Sequence, residues 1–200
     1  MFSQWNSIFL QAPQIIPSKR KMVRNVVAKA YVEDSEEIEG LIFHYTDSLG
    51  SVIAQEDIYF NVPQGRLKLR ISSPNPNGQL IYYQRPNIAG PKVSDSRLTE
   101  VEDVLCLKKT LSLALGELGV VQKRRRVYVK DNVHIHLDEV KGIGCFIEFS
   151  VALDDMDTDE KGIEQAMRVM EVLQIEKSSL VSVAYLDLLM QNHETDKHII

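Results

Sequence analysis

With 200 residues, of which 44% are hydrophobic, the chain is long enough for one large domain or two small ones with a real core. A formal net charge of −5 argues against a general nucleic-acid-binding protein, and no apolar run approaches the length of a membrane span, roughly 20 residues. The two cysteines, Cys106 and Cys145, match no metal-binding or redox spacing, so a reducing compartment, the cytoplasm, is expected.

The chain begins with a basic stretch, residues 1–22, that contains no acidic residue. It lacks the Arg and Ser richness and the apolar segment of targeting sequences, so it is interpreted as an N-terminal arm, although its charge leaves a mitochondrial location open. Residues 23–200 are expected to form one domain.

Strands are predicted where β-branched or alternating apolar residues are bounded by turn residues. These segments are 23–32, 52–60, 66–71, 79–85, 120–130, 134–140 and 145–153. Apolar stripes at helical spacing predict helices. These cover 34–48, 98–116, 158–173 and 178–190, and residues 90–92 are interpreted as a loop. About eight mostly antiparallel strands with helices between them indicate an α+β fold.

One predicted strand carries an unusual charge pattern. In the segment from Arg66 to Ile71, cations alternate with aliphatic residues, so three cations lie on one face of the strand. A single strand of this kind is also explained by a solvated outer face. The pattern recurs on further strands, however, and the same alternation sorts polar residues onto a common interior. The members of this interior set are Lys29, Arg66, Lys68, Arg70, Arg85, Lys123, Arg125, His134, His136, Asp138 and Glu148.

So many inward cations need a central cavity, which favours a closed or nearly closed barrel over a packed sandwich. Cations facing a few carboxylates suit polyphosphate chemistry, in which the cations hold phosphate oxygens and the carboxylates hold a bridging divalent metal. Arg suits this task because its planar guanidinium binds two oxygens at once.

The chain resembles the CYTH superfamily, the triphosphate tunnel metalloenzymes, and is most similar to the class IV adenylyl cyclase-like and thiamine triphosphatase-like branch. The resemblance rests on ordered motifs from about residue 23 to 190. These are NxxxK on the first strand, NVPQGRLKLR, YYQRP, GPKVSD, VVQKRRRVYV, HLDEVKGIG, FIEFSV and AYLDLL. It implies an eight-stranded antiparallel tunnel that binds an inorganic, nucleoside or thiamine triphosphate with Mg²⁺ or Mn²⁺.

Position by position, the resemblance implies an intact phosphate-binding half. Lys29 ends the family's ExExK strand, and Lys123 and Arg125 match its KxR pair. The full set expected to bind phosphate is Lys29, Arg66, Lys68, Arg70, Arg85, Lys92, Lys123 and Arg125, with Arg66 near a tunnel mouth and Lys92 at the rim. Arg124 and Arg126 have the opposite parity and are expected outside.

The metal-binding half departs from the family pattern. The first ExE is Asn25-Val26-Val27 here, and the later ExE is Glu148-Phe149-Ser150, so Asp138 and Glu148 are the acids that remain. Because a hard divalent ion needs several anionic oxygens, Mg²⁺ or Mn²⁺ is expected to bind weakly, through Asp138, Glu148 and Asn25. The two acids are explained as well by ion pairs with the tunnel cations.

The two histidines leave a similar choice. His134 and His136 share a face with Asp138 at a spacing that suits zinc or manganese, so His136 is a further metal candidate. Hydrogen bonding to phosphate or to a carboxylate is the more ordinary role. On the last helix, Tyr185 and Asp187 are candidates for closing a tunnel mouth, and packing of the helix on the barrel explains Tyr185 as well.

The sequence therefore favours a protein that captures a small polyanion, such as tripolyphosphate or a nucleotide, with weak or absent catalysis. The alternative is an active Mg²⁺- or Mn²⁺-dependent triphosphatase or, less readily, a class IV adenylyl cyclase, with Lys29, Asp138 and Glu148 as catalytic residues. A purely structural interaction module predicts no anion binding. Nucleic acid and membrane are not expected as partners, and the oligomeric state is left open.

Overall fold

A computed structural model describes residues 21–74 and 78–197 and contains a barrel of eight strands. The strands are β1 (Lys21–Val32), β2 (Ser51–Phe60), β3 (Arg66–Ser73), β4 (Gly78–Gln84), β5 (Lys92–Val101), β6 (Glu117–Lys130), β7 (Val133–Val140) and β8 (Gly144–Ala152). The α-helices within the described residues are α1 (Ser35–Thr46), α2 (Val104–Leu115), α3 (Asp159–Val172) and α4 (Tyr185–Lys197). None of these helices is long and apolar enough to cross a membrane.

The barrel is closed, with the strand order β1-β5-β4-β3-β2-β6-β7-β8, and every neighbouring pair is antiparallel. Strand β1 completes the closure because its first half pairs with β5 and its second half pairs with β8. The predicted α+β fold with a closed, eight-stranded antiparallel barrel is therefore confirmed.

Alternation along the strands separates an apolar outer face from a polar interior. On β1, the outward residues Val26, Ala28 and Ala30 pack into a core shared with α1 and α3. Helix α2 covers another part of the barrel, where its Val104 packs with Leu69 of β3 and with neighbouring strand residues. The helices thus bury the outer face and leave the inward face to line a cavity.

One strand was not predicted. Residues 92–101 form β5, and α2 begins at Val104, whereas the sequence predicted a loop at 90–92 and a helix from residue 98. Leu98, Val101 and Leu105 have the spacing of apolar residues on one side of a helix, but Leu105 is 72% exposed. The helix begins only after Asp103, whose side chain caps α2 by accepting a hydrogen bond from the Cys106 N–H. The strand lacks an apolar inner face because Ser94 and Ser96 line the cavity.

The predicted start of the last helix is also wrong. The sequence predicted a helix over 178–190, but residues 177–179 form a 3₁₀ turn and α4 begins at Tyr185. The segment between them runs along the part of β1 that β5 does not cover. There Leu180 bridges to Ala30, and Val181 N–H donates to the Lys29 carbonyl at 2.8 Å. These hydrogen bonds satisfy the open strand edge, so the segment stays extended.

The predicted arm, residues 1–22, lies outside the described residues except for its last two residues, which open β1. The single domain predicted for residues 23–200 contains all the described elements after that point.

Candidate functional site

The barrel encloses a cavity of about 220 Å³. Its wall contains most of the residues that strand parity placed inside, because inward side chains from all eight strands converge there. The residues from the predicted set that line it are Asn25, Lys29, Lys68, Arg70, Arg85, Lys123, Arg125, His136 and Glu148. Serines at 94, 96 and 150 and apolar residues complete the wall.

One group of cations surrounds Asp57, which is 1% exposed. Arg70 donates from Nε and Nη2 to the two carboxylate oxygens at 2.7 and 2.8 Å. Lys68 Nζ lies 2.9 Å from Oδ2, and Lys123 Nζ lies 3.3 Å from the same oxygen. A single buried carboxylate therefore holds cations from β3 and β6, the strands on either side of β2.

A second group lies around Asp138 and Glu148. Arg125 binds Asp138 with two hydrogen bonds of 2.6 Å, and the Tyr185 hydroxyl donates to Asp138 at 2.8 Å. Glu148 lies 3.8 Å from Arg125 and 3.9 Å from Lys29, so its ion pairs are longer. The Lys29 ammonium also sits 3.7 Å from the centre of the Tyr185 ring, which is a cation–π contact. Tyr185 of α4 thus belongs to the site.

Burial and mutual repulsion perturb the titration of these groups. Burial, followed by the neighbouring cations Arg85 and Lys123, lowers the pKa of Lys29 to about 7, with Glu148 opposing the shift. Burial and Arg70 lower the pKa of Lys68 to about 7 as well. Burial alone would raise the pKa of Asp57, but its cations hold that pKa well below the usual range. Because Lys29 and Lys68 are about half protonated near neutral pH, an anion bound beside them would raise their pKa and favour their charged form.

Four residues of the predicted set do not line the cavity: Asp138, which Arg125 and Tyr185 contact, and Arg66, Lys92 and His134. Arg66 forms a 2.6 Å ion pair with Asp187 of α4, as expected for a residue at a mouth. Lys92 is the first residue of β5, not part of a loop, and its buried ammonium donates to the Ile88 carbonyl at 2.5 Å. His134 is exposed near the start of β7.

Other predicted positions agree with the structure. His136 lines the cavity, where burial and Arg125 hold its pKa well below the usual range, and its Nδ1 has no hydrogen-bond partner among the described residues. The buried Asn25 Oδ1 and Arg85 Nε are likewise unpaired there. Arg124 and Arg126 point outward and pair with surface acids, as parity predicted.

Asp57 is the site residue that sequence reasoning missed. The alternation along β2 could have placed it inside, because Asp57 lies on the same face of the strand as Gln55 and Tyr59. Strand β2 directly precedes β3 in the chain. Asp57 is neither a cation nor one of the acids of the family's motifs. A buried carboxylate was nevertheless needed to compensate three converging cations.

The positions at which the family pattern has acids lie side by side. Val27 of β1 pairs in register with Ser150 of β8, and both line the cavity near Glu148. Within the described ranges, no group of three or more His, Cys, Asp or Glu side chains is close enough to hold a metal ion. The three carboxylates inside the barrel, Asp57, Asp138 and the half-buried Glu148, each pair with basic side chains instead.

Comparisons with known proteins agree with this geometry. The family model of the CYTH domain matches residues 24–185. The protein named "Putative adenylate cyclase MJ0240" from Methanocaldococcus jannaschii is 29% identical over 143 residues, which are 67% of this chain and 80% of that protein. The PH1012 protein of Pyrococcus horikoshii has the same fold, with a TM-score of 0.71 and 22% identity over 82% of this chain and 99% of the other.

A plant protein gives a more distant match. The "putative adenylyl cyclase HpAC1" of Hippeastrum has a structure described as revealing a dominant triphosphatase activity. It matches with a TM-score of 0.56 and 14% identity, over 86% of this chain and 96% of that chain. At this identity the likeness extends to the fold alone.

Proposed function

This chain belongs to the CYTH family, and from that premise we propose that its tunnel binds a triphosphate or a similar small polyanion and has weak or absent catalytic activity. The observation that carries the proposal is the charge balance of the barrel interior. The cavity wall carries six basic side chains, whereas three carboxylates, Asp57, Asp138 and Glu148, compensate them. An anion with several negative charges would complete the balance.

The form of the cations supports an anion with many oxygens. Arg70, Arg85 and Arg125 present planar guanidinium groups, which match two phosphate oxygens at once, and the lysines present rotatable point charges. Arg85 in particular makes no ion pair with any described residue, so its charge is available to a ligand.

The size of the cavity supports a compact ligand head. Pockets for drug-sized molecules occupy about 300–1,000 Å³, and this cavity of about 220 Å³ is smaller. A short polyphosphate chain suits this volume, and the organic part of a nucleotide would extend towards a mouth.

The donors near the cavity do not suit a divalent metal ion. Asp57 and Asp138 use both carboxylate oxygens on basic side chains or the Tyr185 hydroxyl. At the two positions next to Glu148, Val27 offers no ligand and Ser150 offers a neutral one. We therefore expect Mg²⁺ or Mn²⁺ to bind weakly and the protein to act mainly as a binder.

A metal-dependent triphosphatase is the second candidate. Glu148 favours it, because this carboxylate lines the cavity and its ion pairs with Arg125 and Lys29 are long, at 3.8 and 3.9 Å. In such an enzyme Lys29 would hold the substrate and Glu148, with Asp138, would supply the anionic oxygens. A class IV adenylyl cyclase would use the same groups.

The binding proposal is tested by calorimetric titration with tripolyphosphate in EDTA. Binding should persist without metal and weaken by about 10–100-fold in Arg85→Ala, since a hydrogen bond to a charged group contributes about 1.5–3 kcal/mol. Arg124→Ala is the matched control, because this outward arginine is 61% exposed and should leave the affinity unchanged. An equal loss in both variants, or no binding in EDTA, would contradict the proposal.

Catalysis is tested separately by phosphate release from tripolyphosphate and ATP with Mg²⁺ and with Mn²⁺. The binder should release little phosphate with either metal. Turnover that requires metal and disappears in Glu148→Ala would establish the triphosphatase instead.

A further inference from the structure

The carboxylate of Asp57 lies behind the cavity wall. Lys68, Arg70 and Lys123 line the cavity and all contact Asp57, but Asp57 itself is not part of the wall. Any effect of this residue on a ligand in the cavity therefore passes through the three cations.

We propose that Asp57 is a positioning residue of the anion-binding site, whose carboxylate keeps the ammonium groups of Lys68 and Lys123 charged and directed into the cavity. The proposal rests on the polyanion-binding function proposed above. Strand order explains why one residue can do this, because β2 lies between β3 and β6. A carboxylate on β2 reaches Lys68 of one neighbour and Lys123 of the other.

Arg70 fixes the orientation of the carboxylate. Its guanidinium binds both oxygens of Asp57 in the planar, two-bond geometry that is the most directional form of this ion pair. The cross-strand register places Asp57 directly opposite Arg70. With the carboxylate held on one side by Arg70, Oδ2 remains available to both lysines. The lysine positions are thus set by a rigid pair and not by solvent.

The surroundings of the two lysines leave Asp57 as their shared negative partner among the described residues. The other ionisable groups near them are Lys29 of β1, Tyr59 of β2, Arg70 of β3, Tyr83 of β4, Arg125 of β6, His136 and Asp138 of β7, Glu148 of β8 and Tyr185 of α4. Lys29 and the arginines repel the ammonium groups, and the tyrosines are neutral. Of the other two acids, Asp138 is engaged by Arg125, and Glu148 pairs with Arg125 and Lys29. Removing the Asp57 charge would therefore leave burial and repulsion unopposed at Lys68.

Burial already lowers the pKa of Lys68 to about 7, and burial and Arg125 lower that of Lys123, while Asp57 raises both. Without Asp57 both pKa values fall further, so each lysine loses its proton at a lower pH than in the native chain. The ligand would then meet fewer positive charges near neutral pH and above. Asp57 thus sets the upper pH limit of anion binding.

The direct test compares Asp57→Asn with Glu56→Gln, a neighbour that contacts Lys108 and Gln122 on the outside of the barrel. The titration of the Lys68 and Lys123 ammonium groups is followed by NMR in the ligand-free protein. In Asp57→Asn both pKa values should fall below those of the native chain, and in Glu56→Gln they should not change. Unchanged lysine titration in Asp57→Asn would overturn the inference.

The second measurement is tripolyphosphate affinity between pH 6 and 8. In Asp57→Asn the fall of affinity with rising pH should begin at a lower pH than in the native chain, and each lysine that has lost its proton should then weaken binding by up to about tenfold per pH unit. Asp57→Glu should restore much of the binding at pH 8. A merely structural role predicts lower thermal stability with an unaltered pH profile, and this result would also overturn the inference.

Two further outcomes have defined meanings. If the native chain binds no tripolyphosphate at any pH, the proposed function fails, and the ligand role of Asp57 fails with it, whatever the lysines do. If Asp57→Asn does not fold, the double variant Asp57→Asn, Lys68→Met removes one charge of each sign, and the titration of Lys123 is measured in it. A Lys123 pKa equal to that in the single variant Lys68→Met would then overturn the inference.

Discussion

Restoring two carboxylates to the cavity should convert it into a metal site. The change is Val27→Glu together with Ser150→Glu. These residues pair directly across β1 and β8, and both line the cavity. Directly paired residues lie about 4.5–5.5 Å apart at Cα, and Glu148 is two residues further along β8, about 7 Å away on the same face. Three carboxylates would then surround one point, which is a donor set that Mg²⁺ and Mn²⁺ bind.

The size of the effect follows from linkage between binding and unfolding. Without metal, the facing carboxylates repel each other and should lower the melting temperature. A metal present at 100 times its dissociation constant stabilises the folded state by about 2.7 kcal/mol. For a chain of this length, that corresponds to a rise of about 5–11 °C. The native chain, which lacks these acids, should gain much less.

The assay is thermal unfolding in EDTA, in Mg²⁺ and in Mn²⁺, followed by phosphate release under the same conditions. The matched control is Val27→Gln with Ser150→Gln, which adds side chains of similar size without charge. If the Glu variant gains no more from metal than the Gln variant, the reasoning about lost ligands is refuted. It is refuted equally if the native chain gains as much as the Glu variant.

Two further predictions concern pH and packing. Because Lys29 and Lys68 have pKa values lowered to about 7, both are charged below that pH. Anion affinity should therefore fall as pH rises from 6 to 8, and it should do so for sulfate too, whose own charge is constant over this range. An affinity that does not change with pH would contradict this prediction. In α3, a Cβ at Gly162 would lie 2.6 Å from Leu153, so Gly162→Ala should lower the free energy of unfolding by about 1–3 kcal/mol. In α1, a Cβ at Gly40 would meet no atom within 4 Å, so Gly40→Ala should raise the free energy of unfolding by about 0.5–1 kcal/mol. Both variants are measured by urea denaturation, and changes of the same sign in the free energy of unfolding would disprove the packing argument.

The barrel and its interior cations could be predicted because alternation alone decides which side of a strand a residue occupies. Lys68 and Arg70 lie inside for the same reason that Leu69 lies in the outer core. The rule weakens at strand ends, where the barrel opens. His134 has the interior parity but lies near the start of β7 and is exposed.

The errors came from segments whose partners are distant in sequence. Strand β5 has serines inside, so it has neither apolar alternation nor the aliphatic run of a buried strand. Its place is decided by β1 and β4, which pair with it on either side. The stretch before α4 is likewise extended because β1 offers it an open edge. The residues within such a segment do not indicate which strand edge will supply its hydrogen bonds.

Closure of the barrel has a consequence for synthesis and folding. Strand β1, among the first described residues to be translated, must pair with β8, and its remaining edge receives Leu180. Tyr185, which binds Asp138 inside the barrel, is translated later still. Contacts between residues so far apart in sequence form slowly because a long loop must close first. A nascent chain released before α4 would lack the contacts of Tyr185 with Lys29 and Asp138, so the complete anion site should form only in the last step of folding.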